Sequence, residues 1–467
     1  MKNIALRAMA SWILGGLLLC SAAFYNGFPL VYSDTGEYIL EGFTGKVSIY
    51  NRPMPYGLFL RHSSLATSLW YVILAQGLLL SSLTYLFLKH FNPRGAGRPV
   101  ALLHLAVLFF LLWCSGISVR TSQLMPDVFA PMPALALCII LYAKSLRRWE
   151  GIYLSLIAVW AIISHTSHLI VYLFAGLAVL VIWLVRRWQY GRWDSAPRRM
   201  IWALSLIGAA WLALPGLHAA YGVGFTTSRS SPVFFLGQLN YVGILPKFLK
   251  ENCTDDSTYF LCPYRHELPV SYWWDSRSPI YKTGGWRKQD QEAYQALIDE
   301  ILADPRYSKL FLQSLVTGTF HQFFNFDTAN TPAQKEGSPS YPPIKQYFAY
   351  ETNPLSVARQ WRRTLDYTFL NNRQRLVVYG CFLLVLALAF RPDWTRPIPE
   401  QLIRALVLIV LVLVFNAAVC GGLSNGAMRY QNRLIWLLPF IVVLIGMSQQ
   451  NRLGELLKKQ WRGGRPG

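Results

Sequence analysis

Long apolar runs recur along this chain, separated by short polar breaks that are mostly basic. About 20 consecutive apolar helical residues cover the hydrocarbon core of a bilayer, so runs of this kind predict a polytopic all-α membrane protein. The runs are continuous rather than alternating, which excludes a closed β-barrel. Ten transmembrane helices are expected. They lie at about Ala8–Phe24, Ser64–Leu88, Val100–Cys114, Val128–Tyr142, Ile152–Ile163, from His168 to Val185, Ile201–Tyr221, Leu376–Phe390, a ninth ending at Cys420, and Leu434–Met447. The first run ends in Ser21-Ala22-Ala23, as a cleaved signal peptide would. A retained helix is the preferred reading, because many spans follow; either reading sends residue 34 outside.

This pattern divides the chain into three parts. Residues 1–221 form an N-terminal bundle of about seven spans, with an acidic first outer loop over 25–63. Residues 222–373 form one large extracytoplasmic loop domain, partly helical. Residues 374–467 form a C-terminal bundle of about three spans with a basic cytoplasmic tail. Within the large loop, Asp290 to Ala303 reads as an amphipathic helix, and Asp304-Pro305 starts another that reaches about Phe324. Thr328 to Pro343 reads as turn-rich and mobile. In the first outer loop, the prolines of Asn51-Arg52-Pro53-Met54-Pro55-Tyr56-Gly57 argue against a simple helix.

Charge fixes the orientation. The formal charge of +21 would suggest nucleic acid in a soluble protein. Here the segments assigned to the cytoplasm hold 21 Lys and Arg, and the four short outer segments hold six. That asymmetry is what the positive-inside rule demands, so both ends are expected in the cytoplasm and no nucleic-acid partner is implied. Seven cysteines show neither a CxxC nor a zinc-type cluster. Cys253 and Cys262 alone share one soluble stretch, where a disulfide is plausible on the extracytoplasmic side.

Of 23 acidic residues, 14 fall in the large loop and five in cytoplasmic connections. The remaining four, Asp34, Glu37, Glu41 and Asp127, lie on the outer face, three of them within eight residues of one another. With this topology Arg52, Arg120, His165, His168, Arg429 and Arg433 gather on the same side. Arginine clamps phosphate well, and arginines within or beside spans are costly unless paired or functional. A carboxylate could accept the proton of an acceptor hydroxyl while arginines stabilise a departing phosphate. Blander readings stand beside each role. Asp34 and Glu37 have capping-box spacing; Asp127 could be a cap or the partner of Arg120; Arg429 and Arg433 could anchor at the interface; Arg52 could be structural. His165 and His168 could satisfy backbone groups at a turn. Their spacing could also hold a divalent metal, although no third ligand is evident; no other cofactor is implied.

With these residues in view, the chain resembles the GT-C class of integral-membrane glycosyltransferases. Members carry an essential acid in the first outer loop, where Asp34 stands. Met125-Pro126-Asp127 is similar to the Pro-acid pair that often enters their fourth span. Arg429-Tyr430 with Pro439 is similar to the Arg-Tyr that precedes a Pro-bearing last span, and Asp304-Pro305-Arg306-Tyr307 looks like the start of an outer helix of the class. Two features depart from the pattern: the acidic stretch is Asp34-Thr35-Gly36-Glu37 rather than an Asp-x-Asp, and the soluble mass lies in 222–373 rather than at the C-terminus. The resemblance implies a polyprenyl-phosphate-linked sugar donor, an inverting transfer to a glycan, lipid or protein acceptor, and Asp34 as general base with Glu37 beside it. Arg52, Arg120, Arg429 and Arg433 would bind the donor phosphate. It also implies a bacterial inner membrane with the site facing the periplasm. Two other classes fit the composition. An O-antigen polymerase or ligase would rely on loop residues such as Arg265 and His266, and a lipid or glycan flippase on mid-membrane charges or broken helices.

Overall fold

The helices follow the apolar runs closely. A computed structural model describes residues 2–47, 52–92, 100–191, 195–254, 259–286, 288–329, 331–395 and 398–449. The N-terminal part contains α1 (Lys2–Leu19), α2 (Ser21–Asn26), α3 (Thr35–Thr44), α4 (Met54–Ser63), α5 (Leu69–Phe91), α6 (Val100–Cys114), α7 (Ile117–Thr121), α8 (Met132–Tyr142), α9 (Arg148–Ile163), α10 (Thr166–Tyr190) and α11 (Pro197–Ala220). The middle part contains α12 (Ser231–Tyr241), α13 (Ile244–Asn252), α14 (Pro279–Lys282), α15 (Lys288–Ala303), α16 (Pro305–Phe324), α17 (Tyr341–Tyr347) and α18 (Thr352–Val357). The last part contains α19 (Thr368–Phe390), α20 (Pro392–Thr395), α21 (Glu400–Gly422) and α22 (Met428–Ile435), the last continuing over 437–449 after a turn at Trp436. Among the described residues the only β-type pairing is one isolated parallel bridge, Leu30 to Gln123.

Among the described residues six helices are long and apolar enough to cross a membrane: α5, α10, α11, α19, α21 and the stretch Met428–Gln449. The other four expected spans are helical but short. Leu6–Leu19, Val100–Cys114 and Pro126–Tyr142 are apolar helices under 18 residues, and α9 has 16 residues. A helix rising 1.5 Å per residue covers only about 24 Å in 16 residues, less than the ~30 Å core. The chain is therefore a multi-pass membrane protein by six helices, and ten crossings are not shown.

Two prolines act differently from expectation. Pro53 and Pro55 do not prevent a helix; Pro53 is the N-cap of α4 and Pro55 sits in its first turn. The missing N–H of a first-turn proline has no intrahelical partner to lose. Pro439 interrupts the last helix without ending it: it cannot donate to the carbonyl of residue 435, and the single turn residue Trp436 falls there.

One large apolar core joins α1, α5, α8, α9, α10, α21 and the last helix. A second core, including Val233, Leu245, Tyr272, Trp273, Ile298 and Tyr307, belongs to residues 233–307. There Cys253 and Cys262 form the disulfide, while Cys20, Cys114, Cys138, Cys381 and Cys420 are free and buried. The basic helix ends expected from their charge to lie on one side meet one another. Glu150 pairs with Lys89 and, at 3.3 Å, with His90. Arg199 donates to the carbonyl of Ala143, and Arg186 lies 3.5 Å from Glu400. Arg98, Arg192 and the basic tail after Gln449 lie outside the described residues. Within the segment 331–343, Ser340 donates to Gln334 at 2.9 Å, and Ser340, Gln334 and Thr331 are buried.

Candidate functional site

The loop carrying Asp34 is fixed on three sides before α3 begins. Leu30 exchanges backbone hydrogen bonds with Ser122 and Leu124, both at 2.9 Å. Gln360 clasps Val31 from 329 residues away: its Nε2 donates to the Val31 carbonyl at 2.6 Å, and its Oε1 accepts from the Val31 N–H at 3.0 Å. Thr35 Oγ1 accepts from the Tyr32 N–H at 2.9 Å and donates to the Leu124 carbonyl at 3.0 Å. Gly36 has to be glycine, because a Cβ there would lie 2.6 Å from the Pro339 carbonyl oxygen. These contacts fix the backbone that presents the side chains of Asp34 and Glu37.

Both turn to Arg52. The guanidinium of Arg52 reaches Asp34 at 3.0 and 3.1 Å and Glu37 at 2.6 Å. Asp34 occupies the N-cap position of α3, yet its side chain makes no capping bond. The capping-box alternative therefore does not describe this pair. Burial alone would lower the Arg52 guanidinium; the carboxylates of Asp34 and Glu37, with Tyr38, outweigh it and raise it. Arg52 stays a cation at any working pH. The side chains of Asp34, Glu37 and Arg52 are each mostly buried, but none is sealed.

The last span supplies two more arginines. Arg429 approaches Asp34 at 3.5 Å, donates to the Tyr430 hydroxyl at 3.1 Å, and stacks over the rings of Tyr32 and Tyr430. One turn on, Arg433 is fully buried. It donates to Asp127 at 3.1 Å, to Asn416 at 2.9 Å and to Ser167 at 3.1 Å. Asp127, in the 3-10 turn Pro126–Phe129, thus takes Arg433 as partner rather than Arg120. Arg120 donates instead to Asn432 at 2.7 Å and to Gln123 at 3.0 Å. None of these arginines sits as a solvent-facing anchor. Arg433 is 1% exposed, and three guanidinium nitrogens, Arg120 Nη2, Arg429 Nη1 and Arg433 Nε, are buried with no partner.

The histidines do what a helix turn asks of them. His165 is the N-cap of α10, its Nδ1 accepting from the Ser167 N–H at 3.2 Å. His168 Nδ1 is 2.9 Å from the Ala161 carbonyl. Burial pushes His165 well below the usual imidazole range, and His168, Arg433, Arg429 and Arg52 push in the same direction. Such a positive surrounding suits an anion and does not suit a divalent cation, so no step is assigned to a metal at these rings. Among the described residues no three His, Cys, Asp or Glu side chains gather around one point.

All nine residues singled out from the sequence, Asp34, Glu37, Arg52, Arg120, Asp127, His165, His168, Arg429 and Arg433, therefore belong to one connected region. Arg265 and His266 do not. They are exposed on the loop and contact each other at 3.2 Å. Sequence reasoning missed Asn416, Asn432 and Gln360, and gave no role of their own to Tyr32 and Tyr430. Asn416, a lone amide inside an apolar run, carried a signal; Gln360 carried none. Comparison with protein-family models, with curated proteins and with solved structures finds no match to this chain.

Proposed function

We propose that this protein is a membrane glycosyltransferase that moves a sugar from a polyprenyl-phosphate donor to a hydroxyl acceptor. The observation that carries this reading is the set of buried, unpartnered guanidinium nitrogens on Arg120, Arg429 and Arg433, three arginines of one cluster in which Arg429 reaches the carboxylate of Asp34 at 3.5 Å. Unpaired buried donors are costly, and an anion that accepts from them removes the cost. Phosphate matches arginine geometry, and fixed positive charge stabilises a phosphate as it leaves.

Asp34 is the general base in this scheme. Its contact with Arg429 is the longest in the cluster at 3.5 Å. A donor phosphate that recruits Arg429 leaves one acceptor position of Asp34 Oδ2 for the acceptor hydroxyl, while Arg52 stays bonded to both carboxylate oxygens and keeps the group in place. Asp34 takes the hydroxyl proton, the acceptor oxygen bonds to the anomeric carbon, and the bond from that carbon to the phosphate oxygen breaks. The polyprenyl phosphate leaves with the electron pair, and the sugar is inverted. The setting is a bacterial cytoplasmic membrane crossed about ten times, with the site on the outer face.

The test is a transfer assay with purified protein in vesicles and radiolabelled polyprenyl-phosphate sugars. Release of polyprenyl phosphate that requires an added hydroxyl acceptor supports the reading. Movement of intact donor across the vesicle membrane, without cleavage, would replace it with a flippase.

A further inference from the structure

Helix α16 reads from sequence as part of the soluble loop, but its surroundings are those of the spans. Gly318 packs so closely on Gly421 at the end of α21 that a Cβ on either would overlap the other's backbone. Phe323 and Phe324 reach Phe382 of α19, with ring centroids 5.3 and 5.9 Å apart. Phe324 also stacks on Tyr379 at 6.4 Å. The outward face of α16 carries an apolar row at every fourth residue: Leu312, Val316, Phe320 and Phe324, which are 59%, 70%, 64% and 39% exposed. This row continues into the exposed apolar residues Tyr379 and Leu383 of α19. From Leu312 to Phe324 it measures about 18 Å, close to one leaflet of a ~30 Å core. The exposed Lys309 stands one turn above it.

An independent observation concerns the non-helical stretch 325–329 that follows. Backbone outside a helix is tolerated at membrane depth only where protein groups satisfy it. Here side-chain amides from the spans do so. The Phe326 carbonyl accepts from Gln374 at 2.6 Å and from Asn432 at 2.8 Å. Asn371 accepts from the Thr328 N–H at 2.8 Å and donates to the Thr328 carbonyl at 3.1 Å.

We infer that residues 312–329 form a re-entrant element that enters the outer leaflet and returns, with Leu312, Val316, Phe320 and Phe324 covered by lipid chains. The element touches the site through Asn432, which also accepts from Arg120. It is the wall through which the bilayer meets the arginine cluster. This inference is independent of the transfer reaction.

The experiment places single cysteines at Lys309, Leu312, Val316, Phe320, Phe324 and, as an aqueous reference, Glu336, in the full-length protein reconstituted in phosphatidylcholine vesicles. The native free cysteines are buried, and unsubstituted protein carried through labelling sets the background. Nitroxide collision rates with oxygen and with nickel-EDDA are measured. The oxygen-to-nickel ratio is expected to rise severalfold and stepwise from residue 309 to residue 324. A nickel accessibility at 320 and 324 equal to that at 336 overturns the inference. Low accessibility to both reagents also overturns it, in favour of a second protein copy covering the row. Hydroxyl-radical footprinting of unsubstituted protein in nanodiscs gives a check free of mutation. Phe320 and Tyr350 are about equally exposed, so Tyr350 should oxidise and Phe320 should be protected; equal oxidation of the two overturns the inference.

Discussion

Asp127 and Arg433, 306 residues apart, form an ion pair at 3.1 Å with both side chains buried. Removing one partner of such a pair leaves an uncompensated charge, at about 3–5 kcal/mol, whereas removing both costs much less. Arg433→Met and Asp127→Asn should each lower the thermal midpoint in detergent markedly, and the double variant should lie well above the sum of the two losses. Additive losses would show that the pair contributes nothing as a pair.

Asp34→Asn should leave expression and helix content intact and reduce transfer by about 100- to 10,000-fold, the usual range for a lost general base. Loss of a cap cannot explain such an effect, since the Asp34 side chain caps nothing and Asn caps as well as Asp. Glu37→Gln should be milder. Purified variants that both turn over donor normally would make the acidic stretch structural.

Gln360 has no place in the chemistry, yet it holds the backbone three residues before Asp34. Gln360→Leu removes its bonds to Val31 and to the Pro332 carbonyl. Each buried backbone group left unpaired costs about 1–3 kcal/mol, so the midpoint should fall clearly. Gln360→Glu keeps an acceptor for the Val31 N–H but faces the Val31 carbonyl with a second acceptor, and should also be destabilised. A midpoint unchanged in both would mean the clasp carries no load.

Acid should weaken the fold through His165, whose imidazole burial and its positive neighbours hold well below the usual range. The unfolded chain protonates this group near pH ~6.5 while the folded chain does not. The unfolded state therefore binds more protons below that value, and stability falls as pH drops through it, while remaining flat above. His165→Asn, which can still cap α10, should flatten the fall in midpoint between pH 7 and pH 5. An equally steep fall in the variant would assign the effect to other groups.

Much of the helix layout was legible because burial in lipid writes itself as continuous apolar runs. Val100–Cys114 was expected and found with the same bounds. The N-cap of α16 was equally plain, Asp304 accepting from the Arg306 N–H at 2.8 Å. The last span was read too short, because hydropathy begins at Leu434 while the helix begins at Met428 and carries Arg429 and Arg433 in its first turns. Amphipathic polar turns look like loop to any average over side-chain type. Membership of the polar cluster was legible from topology, but not its pairing. Asp127 lies seven residues from Arg120 and is bonded to Arg433 instead, since partner choice depends on how helices rotate against one another. Gln360 was invisible because a glutamine that satisfies a distant backbone leaves no local mark.

The reach of the contact between Asp34 and Arg429 also sets a timetable. The two are 395 residues apart in the chain. At translation rates of ~5–20 residues per second, the ribosome needs about 20–80 s to deliver the second after the first. Throughout that interval the nascent chain holds its acidic loop without the cation from α22, so the cluster closes only after α22 has been made.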